Sequence, residues 1–128
     1  MKSVVEVIAG KLKSLEAIKA PEWLFVTKSG SHAERPPEDK DFWFKRCGSV
    51  LYALYSHNVG VRRLQHKYGG RRQHWVRRSH HRPAGGKIIR LALQQLEKAG
   101  FAKKEKVGRS ITGQGRALVE KALAELAA

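Results

Sequence analysis

Apolar residues recur at steps of three and four along most of the chain, a pattern that predicts amphipathic helices. Ser3-Val-Val-Glu6 fits a capping box, and the apolar face that follows predicts a first helix over about 4–18, ended by Pro21. The same spacing predicts helices over about 42–57, 61–67, 87–99 and 113–127. Asp41 and Thr112 are the expected N-caps of the second and last helices, and Gly100 is the expected C-cap of the fourth.

Two stretches lack this spacing. Phe101 to Val107 and Arg109 to Thr112 read as short extended pieces joined through Gly108, which predicts a hairpin. From Gly69 to Gly86 no period is visible, and we expect a long charged loop with a function of its own. The predicted fold class is therefore all-α, mainly helical, with a small β-hairpin and a winged-helix-like C-terminal part. A length of 128 residues suits a single domain over 1–128.

The second predicted helix carries most of the expected core. Its apolar stripe is Trp43, Cys47, Val50, Leu51, Leu54 and Tyr55, whereas Lys45, Arg46 and Ser49 lie largely on the other face. Trp23 is also expected in the core. Cys47 is the only cysteine, and on an apolar stripe it reads as a small buried side chain rather than a nucleophile. One cysteine excludes an internal disulfide framework and suits a reducing, cytosolic interior.

Positive charge is concentrated between residues 60 and 87. The chain has a net charge of +15, and this segment holds nine fixed positive charges and four imidazoles with no carboxylate. Such a density of like charge favours a polyanionic partner, and structured RNA fits best because Tyr68 and Trp75 offer rings for stacking on unpaired bases. The glycines allow close backbone approach. The candidate RNA-binding residues are Arg62, Arg63, Lys67, Tyr68, Gly69, Gly70, Arg71, Arg72, His74, Trp75, Arg77, Arg78, His80, His81, Arg82 and Lys87.

Other chemistries fit the residues poorly. The histidines match no zinc-finger or ribbon spacing and stand beside cations that would repel a metal, so we expect no metal. Phosphodiester cleavage needs clustered carboxylates, and neither these nor a nucleotide-binding loop or catalytic triad is visible, so we expect no enzyme and no cofactor. No apolar run approaches the roughly 18 residues of a spanning helix. Glu6, Lys11 and Lys13 interrupt any signal-peptide core.

Several short motifs, in order, resemble one known family. They are Pro21-Glu22-Trp23, Phe42-Trp43 with Arg46, Leu54-Tyr55, Tyr68-Gly69-Gly70-Arg71, Ser79-His80, Leu93 to Glu97, and Ile111-Thr112-Gly113-Gln114-Gly115. Their order and spacing are similar to those of the eukaryotic and archaeal small-subunit ribosomal protein S19e family. The chain departs from the family at Gly113, where a proline is usual. The short stretch before the first helix favours an archaeal-type member.

The resemblance implies a winged-helix-related domain bound to RNA in the head of the small ribosomal subunit. It also implies contacts through Arg62 to Lys67 and Tyr68 to Lys87, neighbouring small-subunit proteins as partners, and a role in maturing the small-subunit RNA. The expected location is the cytoplasmic ribosome, with a monomer when free and no membrane or small-molecule substrate. Two alternatives stay open: a winged-helix DNA-binding regulator, and an assembly factor that visits the ribosome without staying.

Overall fold

The computed structural model describes residues 3–16, 18–23, 41–72, 80–82, 84, 86–106 and 108–127, and for 71–72 and 80–82 it describes the backbone alone. These residues form five helices and two pairs of antiparallel strands, which confirms the mainly helical fold class. In chain order the elements are α1 (Val4–Lys13), α2 (Phe42–Ser56), α3 (Val61–Lys67), β1 (Gly70–Arg72), β2 (His80–Arg82), α4 (Gly86–Ala99), β3 (Ala102–Lys104), β4 (Arg109–Ile111) and α5 (Gly113–Ala127).

The first helix begins as predicted and ends earlier. Ser3 Oγ accepts a hydrogen bond from the Glu6 N–H, and the Glu6 carboxylate accepts one from the Ser3 N–H, both at 3.3 Å, which is the expected capping box. The predicted continuation to residue 18 is wrong, because the Ser14 hydroxyl donates to the Lys11 carbonyl at 2.9 Å and the chain turns there. Ile18 is nevertheless 3% exposed, so apolar spacing continues beyond the end of the helix.

The other four predicted helices are confirmed to within a residue at each end. Asp41 precedes α2, but its side chain makes no capping hydrogen bond, since its carboxylate accepts from Lys13 Nζ at 3.0 Å. Thr112 does cap α5: its hydroxyl accepts from the Gly115 N–H at 3.3 Å and donates to the Gly100 carbonyl at 2.6 Å. Gly100 ends α4 with φ +88°, a conformation that favours glycine.

The segment predicted as a loop contains a second hairpin. β1 pairs antiparallel with β2, with Gly70 opposite Arg82, Arg71 opposite His81, and Arg72 opposite His80. The prediction of a long charged loop over 69–86 is therefore wrong for these six residues. Each strand is three residues long and carries only polar side chains or glycine, so it shows no alternating apolar pattern from which a strand could be inferred.

The predicted C-terminal hairpin is confirmed. β3 pairs antiparallel with β4, and Gly108 in the turn has φ +76°. On its other side β4 forms a bridge to the residue between α2 and α3: the Arg109 N–H donates to the Val59 carbonyl at 2.8 Å, and the Val59 N–H donates back at 3.2 Å. This sheet and the helices α2, α3 and α4 follow an order that is compatible with the predicted winged-helix-like part.

The buried side chains of all five helices form one cluster. Its largest fully buried members are Trp43, Ile8, Leu12, Leu51, Leu54, Leu64, Ile89, Leu93, Leu96, Val50 and Val119. Trp43 and Cys47 are buried as predicted, whereas Trp23 and Tyr55 are only partly buried at its margin. No helix in the described ranges is long and apolar enough to cross a membrane.

A single glutamine joins three parts of this core. Gln95 on α4 accepts a hydrogen bond from the indole N–H of Trp43 at 2.8 Å and another from the Lys19 N–H at 3.1 Å. Its own amide group donates to the Lys19 carbonyl at 2.7 Å. Gln95 therefore ties the segment after α1 to both α2 and α4.

Candidate nucleic-acid interface

Helix α3 presents three of the predicted RNA-binding side chains to solvent. Leu64 is 1% exposed and anchors the helix to the core, while Arg62, Arg63 and Lys67 are exposed. This division follows from the helical period, since only residues three or four apart share the face that packs on the core. The three candidate cations of α3 are therefore on the side of the helix that faces away from the core.

The basic segment leaves α3 and returns to α4 through a narrow neck. At the neck the Ala84 N–H donates to the Gln65 carbonyl at 2.8 Å, and the Gln65 side-chain amide donates to the Ala84 carbonyl at 3.0 Å. Ala84 is buried, so the two ends of the segment are fixed on the core. The structure brings the backbones of Gly70, Arg71 and Arg72 against those of His80, His81 and Arg82, beyond this neck.

Four predicted site residues lie outside the described part of the chain: His74, Trp75, Arg77 and Arg78. The proposed stacking of Trp75 on RNA bases therefore stays a prediction. Gly69 and Gly70 are half-buried at the junction between α3 and β1, and Lys87 is exposed in the first turn of α4.

Tyr68 is built into the protein at the junction of α3 and β1. Its hydroxyl donates to Ser49 Oγ on α2 at 2.6 Å, and its ring packs against the margin of the core. Burial raises the pKa of the phenol above its usual range. The Tyr68 ring therefore links α2 to the base of the basic hairpin, while its predicted stacking on RNA stays untested.

The guanidinium of Arg46 lies over that same ring. Its central carbon is 4.1 Å from the Tyr68 ring centre and 5.1 Å from the Phe42 ring centre. Arg46 is half-buried, and burial lowers the pKa of its guanidinium. The sequence interpretation placed Arg46 on the outward face of α2 and left it out of the site. The spacing of Phe42 and Arg46, four residues apart on one helix, is the signal that could have shown their contact.

Helix α4 carries further exposed cations in line with Lys87. Arg90 and Lys98 are exposed on its polar face, with Gln94 between them. Lys87 Nζ lies 4.6 Å from the centre of the Trp23 ring, and a groove of about 350 Å³ between Trp23 and α4 opens beside them. Arg90 and Lys98 are not among the predicted site residues, although their three- and four-residue spacing from Lys87 is visible in the sequence.

The electrostatics of this face favour anion binding. Glu97 forms an ion pair with Arg109, and Glu105 accepts a hydrogen bond from Ser110 at 3.0 Å, so both acids near α4 and β4 are engaged within the protein. In the part of the chain that the structure describes, no group of three or more His, Cys, Asp or Glu side chains could hold a metal ion. Arginine and lysine side chains on this face can neutralise phosphates and donate hydrogen bonds to them.

Comparison with known proteins identifies relatives along nearly the whole chain. A family model described as ribosomal protein S19e matches residues 1–128. The small ribosomal subunit protein eS19 of Haloarcula marismortui is 40% identical over 129 residues, covering 96% of this chain and 84% of that protein. The eS19 of Aeropyrum pernix is 39% identical over 123 residues, covering 93% and 80%. The eS19B of Schizosaccharomyces pombe is 35% identical over 114 residues, covering 88% and 80%.

Proposed function

Because the chain belongs to the ribosomal protein S19e family, we propose that it binds ribosomal RNA in the head of the small subunit through α3 and the basic segment that follows it. Its relatives are small-subunit ribosomal proteins, and its role in that subunit is structural rather than enzymatic.

One observation carries the proposal. Helix α3 is anchored to the core by Leu64 and exposes Arg62, Arg63 and Lys67. It leads into a hairpin whose two paired strands contain five further basic residues. The sequence from 60 to 87 contains no carboxylate that could neutralise these charges. A surface of this kind supports contact with a phosphate backbone.

The proposed mechanism is neutralisation of phosphates where RNA helices converge. Arginine suits the task because its planar fork can hold a phosphate through two hydrogen bonds and can also stack on a base. If six to eight cations engage phosphates, log K should fall against log salt with a slope of about −4 to −7. Neighbouring small-subunit proteins are the other proposed partners, and we propose that the protein is a monomer before assembly and aids maturation of the small-subunit RNA.

The first test compares two charge-matched double variants. Arg62→Gln with Arg63→Gln removes two cations from α3, whereas Arg116→Gln with Lys121→Gln removes two exposed cations from α5. Binding to a transcript of the head region of small-subunit RNA is measured by fluorescence anisotropy across a salt series. We expect the α3 variant to lose about two units of salt slope, because each phosphate contact contributes about 0.9. The α5 variant should keep the slope, and equal losses in both would contradict the proposal.

A second test asks whether the protein stays on the ribosome. Native extract is separated on sucrose gradients at low and high salt, and the protein is followed by immunoblot. Co-migration with mature small subunits after a high-salt wash supports a resident ribosomal protein. A peak on precursor particles alone would favour an assembly factor, and sedimentation with chromosomal DNA would favour the winged-helix regulator.

A further inference from the structure

Arg46 is half-buried between two aromatic rings, and among the described residues the partners of its guanidinium are those two rings alone. Its guanidinium is half-buried, with the rings of Phe42 and Tyr68 at 5.1 and 4.1 Å from its central carbon. In the described part of the chain no carboxylate pairs with it, and no oxygen accepts a hydrogen bond from it. An arginine stays charged at any physiological pH, so among the described residues a partly desolvated cation remains here with no oxygen acceptor for its N–H groups.

The geometry of the contacts leaves those donors available. A guanidinium that lies over an aromatic ring uses its face, whereas its N–H bonds lie in its own plane. The two rings restrict the side chain, and neither ring supplies an oxygen acceptor for its N–H groups. A restricted, planar set of donors is what a phosphate needs for two parallel hydrogen bonds, and restriction in advance reduces the entropy lost on binding.

The position of Arg46 places it beside the proposed RNA surface. Tyr68, the residue that it covers, ends α3 and directly precedes Gly69 and β1. Lys67 Nζ is 5.7 Å from the centre of the same ring, so a second cation lies close by. One RNA molecule could therefore contact Arg62 and Arg63 and also place a phosphate against Arg46.

We propose that Arg46 is a direct RNA ligand, a guanidinium braced by Phe42 and Tyr68 that holds one backbone phosphate at the junction of α3 and the basic hairpin. This proposal rests on the proposed function, since it names a contact within the same interface. It adds a residue from α2, so that the interface is fixed to a long core helix as well as to α3. The tyrosine then serves as a support for the arginine, whatever further contact it makes with RNA.

The experiment compares Arg46 with an arginine in a similar setting elsewhere. Arg116 on α5 also lies over a tyrosine, with its central carbon 5.5 Å from the Tyr55 ring centre. Arg46→Gln and Arg116→Gln therefore each remove one charge and one arginine–tyrosine contact. Affinity for the head-region transcript and its salt slope are measured for both, together with thermal midpoints. We expect Arg46→Gln to lose about 0.7–0.9 units of slope and roughly tenfold in affinity, and Arg116→Gln to lose neither.

Two further variants keep the test decisive if Arg46→Gln folds poorly. Arg46→Lys keeps the charge but cannot form the bidentate pair, so it should retain the slope and lose about three- to tenfold in affinity. Ser49→Ala removes the partner of the Tyr68 hydroxyl without touching Arg46, and it should retain both slope and affinity. If Ser49→Ala lost as much as Arg46→Gln, Arg46 would act by positioning Tyr68, and the direct contact would be refuted.

The outcome is also separable from the proposed function. Normal binding by folded Arg46→Gln and Arg46→Lys, with loss of binding by the α3 double variant, would overturn the role of Arg46 and leave the RNA interface in place. Normal binding by all of these variants would overturn both.

Discussion

Replacing Gln95 by methionine should destabilise the protein well beyond the usual effect of a change near the surface. Methionine has nearly the same length and volume, so the substitution removes the amide without opening a cavity. The indole N–H of Trp43, a side chain with no exposed surface, would lose its acceptor at 2.8 Å. The two backbone hydrogen bonds to Lys19 would be lost as well.

The magnitude follows from where each group lies. A buried donor left without an acceptor costs about 1–3 kcal/mol. The two bonds to Lys19 count for less, because this residue is exposed and water can replace Gln95 there, so together they contribute about 1 kcal/mol. The free energy of unfolding should therefore fall by about 2–4 kcal/mol, which corresponds to a decrease of roughly 8–15 °C in the thermal midpoint for a chain of this length.

Urea denaturation followed by tryptophan fluorescence and circular dichroism measures this change. Gln94→Met is the matched control, since Gln94 is the exposed neighbour of Gln95, and it should change stability by less than about 0.5 kcal/mol. Trp43→Phe combined with Gln95→Met removes both partners, so the double variant should lose less than the sum of the single variants. A loss below about 1 kcal/mol for Gln95→Met would refute the reasoning that this amide satisfies a buried donor.

Three further results are expected. A Cβ added at Gly115 would meet the Phe101 carbonyl and lie 2.8 Å from Ile111 Cγ1, so Gly115→Ala should cost more than about 2 kcal/mol in urea denaturation, whereas Gly113→Ala, with open space around it, should be neutral or stabilising. Burial raises the pKa of the Cys47 thiol, so in the native state at pH 8 it should resist alkylation that proceeds rapidly in urea. We further propose that 1–128 folds as one domain, which predicts a single calorimetric transition whose calorimetric and van't Hoff enthalpies agree.

The long helices could be predicted from the sequence because their apolar residues face one shared core. Helices α2, α4 and α5 each repeat that pattern over about four turns, and tertiary packing agrees with local spacing. The end of α1 could not be found in the same way. The helix ends at Lys13, yet Ile18 keeps the apolar spacing and is buried in the core. The spacing therefore indicated which residues are buried, and it did not indicate where the helix ends.

The candidate site could be predicted by its charge but not by its architecture. A run of cations with no acid indicates a surface for a polyanion, whichever secondary structure the segment adopts. The pairing of Gly70–Arg72 with His80–Arg82 depends on backbone hydrogen bonds between strands of three residues, which leave no periodic trace. Arg46 was missed for a related reason, because its neighbour Tyr68 comes from another helix and their contact exists only after α3 packs on α2.

The neck formed by Gln65 and Ala84 makes the proposed RNA-binding segment an interchangeable module. Two hydrogen bonds close it, and the buried Ala84 side chain secures it to the core, so residues 66–83 begin and end at one fixed point on the protein. Tyr68 packs against the core and belongs with it, so the interchangeable part begins after Tyr68. Substitutions or insertions between residues 69 and 83 would change the proposed RNA contacts, while the free energy of unfolding is set by the core side chains outside that interval. Affinity and foldability can thus evolve separately, and an unrelated binding loop could be grafted between Tyr68 and Ala84.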